Sequence, residues 1–572
     1  MKSWRVKWLQ VSVATASAAL VAAACSVGSI GEPGPLSTGP SGAVPPASSG
    51  GSSGATSTTS LQCTGAVDPG RSPLRRLDRF EYNNTIHDLL GETTPYADTF
   101  PPDAQGGGFS NNADALVVSE VLAQSYGIAA DSMATSAVTR LGSLYSCDVA
   151  TTGEDGCAQQ FITTFGKRAF RRPLTRAEAT RFSALYTTGR TGGQFTDGIS
   201  LVIEMMLQSP YFIYRPESGV AAQAGGTAAP VTPYEMATRL SYFIWGSMPD
   251  DALFAAADAG ALATPAQVTA QVQRMMQDSR AHQVVATFHR EWLELANALD
   301  AAKAPTMFPN WSPQLASDLY GESSTFVEQV FWGDGNLATL LAAPYTYANQ
   351  AVAQYYGATG PAGATYTKTM LDPTQRAGLL TQGTFLASHA NPDQTSPVRR
   401  GKFVREQLLC QTMPPPPNGI VITPPPYDAT TTTRNRFIAH ETVALCKSCH
   451  TQMDPIGFAF EHYDSVGQWR TMDGPSAVDA SGTLTGTDVD GPVDGAIALM
   501  RKLSTSTQVA NCVATQWFRF ANGRTETDVD KCTLVSIEQQ FTSSHKDMRV
   551  LPIAIATSDA FRYRTASNGG SP

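Results

Sequence analysis

Residues 232–245 read TPYEMATRLSYFIW, and this stretch decides the fold class of the chain. Thr232 supplies a capping oxygen, a proline takes the first helical position, and Glu235 follows three residues after the cap. This combination is the signature of a helix start, because the cap and the glutamate satisfy each other's backbone N–H groups. Apolar residues then recur at helical spacing and form one face: Met236, Leu240 and Phe243.

The same kind of helix start recurs elsewhere in the chain, at 175–178 (TRAE), 264–267 (TPAQ) and 372–375 (DPTQ). After the second of these, Val268, Val272, Met275 and Met276 again lie on one helical face. Sustained alternation of the kind that marks strands is scarce. The sequence therefore predicts a mainly α protein built of several small helical modules.

Length and composition exclude some classes of protein. The chain has 572 residues, which allows about three or four domains. Lys and Arg number 40 against 49 Asp and Glu, so the net charge is −9, which argues against general nucleic-acid binding. The N-terminus is the one stretch that approaches a membrane span, so a polytopic membrane protein is excluded.

Residues 1–25 have the features of an export signal. Lys2, Arg5 and Lys7 precede an uncharged apolar stretch at 9–24, which ends in small residues directly before Cys25. VAAAC resembles the lipobox of bacterial lipoproteins, although Ala22 stands where Leu is usual. This resemblance predicts lipidation of Cys25, and the serine that follows favours the outer membrane. The alternative is ordinary cleavage with an incidental cysteine. We expect an exported protein of the cell envelope that is held to the membrane by a lipid anchor only.

Residues 26–62 are almost entirely Gly, Ser, Pro, Thr and Ala, with Glu32 as their one charged residue. Such a composition cannot bury enough apolar surface to fold. We expect a disordered tether between the anchor and the folded body.

The nine cysteines divide into three groups. Cys25 is the lipidation candidate, Cys446 and Cys449 form a close pair, and an even number remains. Disulfides are expected in an oxidising compartment, although sequence does not fix their connectivity. The pairs that we expect are Cys147–Cys157, Cys512–Cys532 and Cys63–Cys410; free buried thiols are the alternative.

Residues 446–450, CKSCH, match the attachment motif of c-type haem. Two thiols three residues apart on a helical turn can each bond one vinyl group, and His450 can then present its imidazole to the iron. The motif predicts one covalent haem c held by Cys446, Cys449 and His450, with His450 as proximal iron ligand. A zinc site, a thioredoxin-like redox pair and a local disulfide are the alternatives; no second CxxC supports zinc.

Residues after the motif could surround a haem. The carbonyl of Pro455 is a candidate acceptor for the second ring nitrogen of His450. Arg470 could pair with a propionate or simply lie at the surface. Apolar wall candidates are Phe458, Phe460, Tyr463 and Trp469.

The ligand opposite His450 stays open at this stage. Met453 is too close to His450 in sequence to reach the other face. The remaining candidates are His389, His440, Met413, Met472 and Met500, and the position could also have no protein ligand. A His/Met pair suits an electron carrier, whereas an open site suits small-ligand or peroxide chemistry.

Other catalytic signatures are absent from the sequence: we find no G-x-S-x-G, H-E-x-x-H or P-loop. The basic cluster Lys167, Arg168, Arg171 and Arg172 could hold an anion, but such clusters more often form a solvated face or internal ion pairs. Candidate aromatic platforms for a polysaccharide, or else core residues, are Trp245, Trp292, Trp311 and Trp332.

Several segments together carry a family resemblance: 75–91, 165–179, 209–217, 234–260, 376–410, 446–470 and 558–564. In combination they resemble the planctomycete-type cytochrome c family, whose exported members consist of modules of unknown function. The resemblance implies five modules, at 72–140, 157–218, 230–358, 372–470 and 485–565. It also implies a cytochrome-c-like haem module, the fourth, that ends in the CxxCH segment.

Three functions follow from these observations. The first, which we favour, is a surface-anchored monohaem c-type protein that transfers electrons to or from an unidentified protein partner. The second is an extracellular haem oxidoreductase acting on a polymer or a small molecule. The third is a surface binding protein, for example for polysaccharide, with a structural or sensory haem. Whether the chain is an enzyme stays open.

Overall fold

The computed structural model describes residue 63 and residues 67–220, 228–414, 423–442 and 444–565; the side chains of 439–441, 444 and 445 are outside this description. The predicted signal segment, Cys25 and the whole predicted tether at 26–62 therefore lie outside the described residues. The described residues are mainly helical, as the sequence predicts. No described helix combines the length and apolar character needed to cross a bilayer.

The first part of the described chain contains eight helices. They are α1 (Arg79–Leu90), α2 (Glu120–Thr139), α3 (Leu141–Leu144), α4 (Val149–Thr152), α5 (Glu154–Ala169), α6 (Arg176–Arg190), α7 (Phe195–Leu207) and α8 (Pro210–Ile213). A 3₁₀ turn covers Tyr96–Thr99.

The middle part contributes α9 (Pro233–Trp245), α10 (Asp251–Asp258), α11 (Pro265–Met275), α12 (Ser279–Trp292), α13 (Pro313–Trp332), α14 (Leu337–Ala342) and α15 (Gln350–Tyr355). A 3₁₀ turn at Leu295–Ala298 follows α12.

The segment with the CxxCH motif contains α16 (Gly383–Ser388), α17 (Pro397–Phe403), a π-helix (Val404–Leu408), α18 (Thr433–Thr442) and α19 (Ala444–Phe458), after a 3₁₀ turn at Leu379–Thr381. The last part contains α20 (Gly495–Thr505), α21 (Thr507–Asn522), α22 (Lys531–Ser543), α23 (Val550–Ala556) and α24 (Asp559–Arg562), with a 3₁₀ turn at Asp528–Asp530.

Strands occur in the described residues only as antiparallel pairs. They are β1 (Arg75–Arg76) with β2 (Tyr214–Arg215), β3 (Ala228–Pro230) with β10 (Tyr563–Thr565), β4 (Tyr345–Ala348) with β5 (Thr367–Met370), β6 (Met472–Asp473) with β7 (Ser476–Ala477), and β8 (Ser481–Leu484) with β9 (Gly491–Asp494). The pair β3–β10 joins residues more than 330 positions apart, in the register Tyr563 opposite Pro230.

The capping boxes are confirmed at three of the four predicted positions. The side chains of Thr175, Thr232 and Thr264 each accept from the backbone N–H three residues on, and the Glu or Gln there bonds back. The fourth, at Asp372, is wrong: its carboxylate closes only a turn, by accepting from the N–H of Thr374. No helix continues from this turn because Gly378 bends the chain at φ +66°, with its Cα packed against the carbonyl of Leu341.

Two large apolar cores organise the helices. Residues of α1, α2 and α5–α8, with Tyr242, Met248 and Phe254, form the first. The second is shared by helices from α9 to α24, including α17 and the end of α19. The segment with the CxxCH motif is therefore packed into the same core as the modules before and after it.

Three disulfides cross-link the described chain. Cys147–Cys157 is confirmed. The other two predicted pairs are wrong: Cys63 bonds Cys532, and Cys410 bonds Cys512. The reason is packing, because α21 carries Cys512 against the end of the π-helix, where the Cys512 sulfur lies 3.5 Å from the carbonyl oxygen of Gln407. Cys532, at the start of α22, is left for the N-terminal Cys63.

Candidate functional site

The CxxCH motif occupies the beginning of α19. Helical spacing separates the side chains of Cys446 and Cys449 by three residues, so they lie about one turn apart on the same side of the helix. Both thiols are free and half-buried, whereas the other six described cysteines are all in disulfides. Among the cysteines that the structure describes, these two are therefore the ones outside a disulfide.

His450 follows on the next turn and is held by a carboxylate. Its Nδ1 lies 3.1 Å from both carboxylate oxygens of Asp454, whose side chain is fully buried. The two residues are four apart on α19, so they share a helix face. A bond at Nδ1 fixes the tautomer in which Nε2 carries the lone pair that a metal ion would accept.

Our expectation for Pro455 is wrong. Pro455 lies inside α19, and its carbonyl points at β8, where a Cβ placed on Gly482 would be 2.0 Å from the oxygen. The carbonyl therefore closes a backbone contact, and the carboxylate one residue earlier takes the role at His450. The i, i+4 spacing on a helix was the signal in the sequence that identifies Asp454.

A close helix crossing positions α19. A Cβ on Gly401 of α17 would lie 1.9 Å from the carbonyl oxygen of Met453, and a Cβ on Gly457 of α19 would lie 1.9 Å from the carbonyl oxygen of Pro397. The two backbones touch where glycine leaves room, on either side of one crossing point. This contact fixes the axis of α19 and hence the direction in which His450 leaves it.

The predicted aromatic wall is partly core. Phe458, Phe460 and Tyr463 are buried, and Tyr463 donates its hydroxyl to the carbonyl of Gln375. Trp469 stacks on His462 with the ring centres 4.5 Å apart. These rings form an apolar surround at the C-terminal end of α19.

Arg470 is occupied by protein carboxylates. Its guanidinium bonds Glu461 at 2.6 Å and Asp473 at 3.0 Å. The cation is therefore already neutralised, and the structure favours an internal ion pair over a propionate partner.

The candidates for the position opposite His450 lie in different surroundings. His389 is engaged, since its Nε2 lies 3.4 Å from Glu294 and its Nδ1 lies 3.0 Å from the carbonyl of Phe385. Met500 is packed in the main core, Met413 is buried, and Met472 is 52% exposed on β6. The side chain of His440, on α18, lies outside the described residues.

The basic cluster and the four tryptophans named from the sequence contact other protein groups. Within the basic cluster, Lys167 pairs with Asp258 and Arg172 with Glu178, while Arg168 and Arg171 donate to backbone carbonyls. Trp245 and Trp292 are core residues, and Trp311 donates to the carbonyl of Ala301. Trp332 stacks on His282 at 4.1 Å.

The donor set at 446–450 fits haem c. It offers two thiols one turn apart and an imidazole on the next turn, and the buried carboxylate of Asp454 bonds Nδ1 of that imidazole. Within the part of the chain that the structure describes, no group of three or more His, Cys, Asp or Glu side chains could hold a metal ion by itself. Protein side chains in that part therefore form no closed zinc site.

Helical modules that share a core around such a segment define a cytochrome-like, multi-module protein. Five family models, each described as a protein of unknown function, match in succession: DUF1587 at 75–139, DUF1595 at 157–217, DUF1592 at 231–358, DUF1588 at 376–473 and DUF1585 at 490–561. The chain belongs to the planctomycete cytochrome c family, which these models make up. No curated protein and no solved structure matches it.

Proposed function

We propose that the chain is a monohaem c-type cytochrome that exchanges single electrons with a protein partner in the cell envelope. The observation that carries the proposal is the pair of free thiols at Cys446 and Cys449, followed by a histidine whose Nδ1 is bonded to a buried carboxylate. Haem c, when bound, supplies a one-electron iron couple.

Each residue of the site has its own task in this proposal. The thiols of Cys446 and Cys449 would hold the haem, each thiol adding its sulfur and its hydrogen across the two carbons of one vinyl group. The Nε2 of His450 would bind the iron. Asp454 holds the ring in one tautomer and one orientation, and its negative charge raises the basicity of the imidazole. The crossing at Gly401 and Gly457 keeps α19 from tilting.

Export and anchoring are part of the same proposal. Three disulfides in the described chain support an oxidising compartment, since such bonds are rare in the cytosol. The lipobox-like segment before Cys25 supports a lipid anchor. In cells, we expect the Cys25→Ala variant to leave the membrane fraction. Retention of that variant in the membrane fraction would contradict the anchor while leaving the haem proposal untouched.

The first test counts covalent haem. The chain is matured in a host that attaches haem c, and a pyridine haemochrome assay measures haem per protein. We expect one haem in the wild type and none in the double variant Cys446→Ala, Cys449→Ala. Ser448→Ala, which changes an exposed residue between them, is the control and keeps its haem. Covalent haem in the double variant would refute the site.

Ligand response separates a carrier from an enzyme. A reduced spectrum that carbon monoxide does not change indicates that both axial positions are filled, as an electron carrier requires. A spectrum that carbon monoxide shifts would contradict the proposal of an electron carrier and favour the haem oxidoreductase.

The Asp454→Asn variant tests the task of the carboxylate. The amide keeps the shape but removes the negative charge at Nδ1, so we expect the reduction potential to rise because the ferric state loses stabilisation. Asp528→Asn, at a carboxylate that is 94% exposed, is the matched control and leaves the potential unchanged. An equal potential in Asp454→Asn and the wild type would mean that Asp454 only supports the fold.

A further inference from the structure

A second site lies outside the CxxCH segment. A cavity of about 780 Å³ opens where the end of α5, the segment after α8 and the start of α9 meet β10. Its lining includes no residue between 372 and 470. The volume is in the range of small-molecule sites, about 300–1,000 Å³.

Three aromatic side chains give this cavity apolar walls. Phe170 and Tyr211 are neighbours, with ring centres 5.6 Å apart, and Tyr234 lies at the start of α9. Tyr211 is 40% exposed although it is a large ring with no hydrogen-bonded side-chain partner among the described residues. Exposed aromatic surface inside a concave site favours a ligand with a flat or ring-shaped body.

Most charged groups of the lining are already satisfied. Arg172 pairs with Glu178, Arg215 with Glu81, and Glu217 with Arg239. The carboxylate of Glu235 accepts from the backbone N–H groups of Ser218, Gly219 and Thr232 and from the hydroxyl of Ser218. None of these groups needs a ligand.

Two guanidinium groups in the lining have no carboxylate partner among the described residues. Arg171 is buried at a left-handed backbone position, φ +58°, and donates to the carbonyls of Tyr211, Phe212 and Tyr214 and to the hydroxyl of Tyr242. It contributes positive potential to the cavity from a buried position.

Arg564, on β10, is the unpaired cation. Its side chain makes no hydrogen bond or ion pair to any residue that the structure describes, and its Nε is buried without a partner. The neighbouring stretches outside the description, 221–227 (AAQAGGT) and 566–572 (ASNGGSP), contain no Asp or Glu.

We infer that the cavity binds an organic monocarboxylate with a ring-shaped body. The carboxylate meets the planar fork of Arg564, which matches its two oxygens, and the ring packs among Phe170, Tyr211 and Tyr234. Glu217 and Glu235 line the same cavity, but both carboxylates are already paired. Phosphate is excluded by its shape, since it has no ring to fill the space between the aromatic walls. Aromatic acids and acidic sugars share this chemistry.

The test is direct binding to the full mature chain, measured by calorimetry and by saturation-transfer NMR. The probes are benzoate, galacturonate, benzamide as the uncharged analogue of benzoate, and inorganic phosphate. We expect at least one of the two carboxylates to bind, and benzamide and phosphate to fail. Which carboxylate binds identifies the source as aromatic or carbohydrate.

Two variants locate the site. Arg564→Gln should weaken binding by about tenfold or more, because a charge-assisted hydrogen bond is lost. Tyr211→Ala should weaken binding with the cation intact. Arg562→Gln, two residues away and bonded to the carbonyl of Ala263, is the matched control. Equal thermal melting of all variants confirms that they fold.

Three results would overturn the inference: no binding of either carboxylate at millimolar concentration, equal binding by Arg564→Gln and the wild type, or competition by phosphate. None depends on haem, so failure here and failure at the CxxCH site are distinguishable.

Discussion

Replacing Gly457 by alanine is the sharpest test of how α19 is held. The new Cβ would lie 1.9 Å from the carbonyl oxygen of Pro397, whereas real Cβ atoms essentially never approach a heavy atom within 3.0 Å. The obstacle is backbone, so no side-chain rotation relieves it. The two helices must separate by about 1 Å, which is a large displacement in a close-packed core.

The magnitude follows from two opposing effects. Overpacking of this kind costs about 3 kcal/mol, the upper end of the usual range, because both partners are backbone. Alanine in a helix interior recovers about 1 kcal/mol relative to glycine. We expect Gly457→Ala to lower the free energy of unfolding by about 2 kcal/mol.

The assay is urea unfolding followed by tryptophan fluorescence, with haem per protein as the second readout. Gly142→Ala is the matched control, because a Cβ there meets nothing within 4 Å and the residue is helical in α3. The control should be neutral or slightly stabilising. If Gly457→Ala is as stable as the control and binds haem equally, the crossing does not position α19 and the reasoning is refuted.

Two further predictions concern the rest of the body. In the chain-entropy view, loss of the Cys410–Cys512 bond, which spans 102 residues, should lower the free energy of unfolding by about 5 kcal/mol. Loss of Cys147–Cys157, which spans 10 residues, should lower it by about 3 kcal/mol. The urea midpoints of the Cys→Ser variants give the order of the two effects, and the reverse order would contradict this prediction. Burial raises the pKa of Glu322 from 4.5 to about 7, so the folded state binds the proton more tightly. The free energy of unfolding should therefore fall as pH rises between these values, by up to about 3 kcal/mol. Glu322→Gln should remove this dependence of stability on pH. An unchanged dependence in the variant would exclude Glu322 as its source.

Local chemistry in the sequence predicts much of the fold. The capping boxes at Thr175, Thr232 and Thr264 mark helix starts correctly, because a cap and its partner are three residues apart and need nothing else. The turn at Asp372 shows the limit. Its pattern is the same, but the approach of Gly378 to a distant carbonyl decides the path of the chain.

The same distinction explains the site. Cys446, Cys449 and His450 can be identified in the sequence from their spacing alone. Asp454 can be identified once a helix is assumed. The pairing of Cys410 with Cys512 is not, since it depends on where α21 packs. The ion pairs of Arg470 with Glu461 and of His389 with Glu294 likewise depend on which elements meet.

The position of the CxxCH segment bears on why so small a motif needs so long a chain. A module of about 100 residues can be a domain by itself. Here, Lys303 donates to the carbonyl of Ala387 and Trp292 to that of Gln407, so the preceding module completes the packing of this one. The Cys410–Cys512 bond ties it to the following module. The upstream helices are therefore part of the structure that holds α19. A fragment of residues 372–470 alone would lack groups that this segment needs to fold.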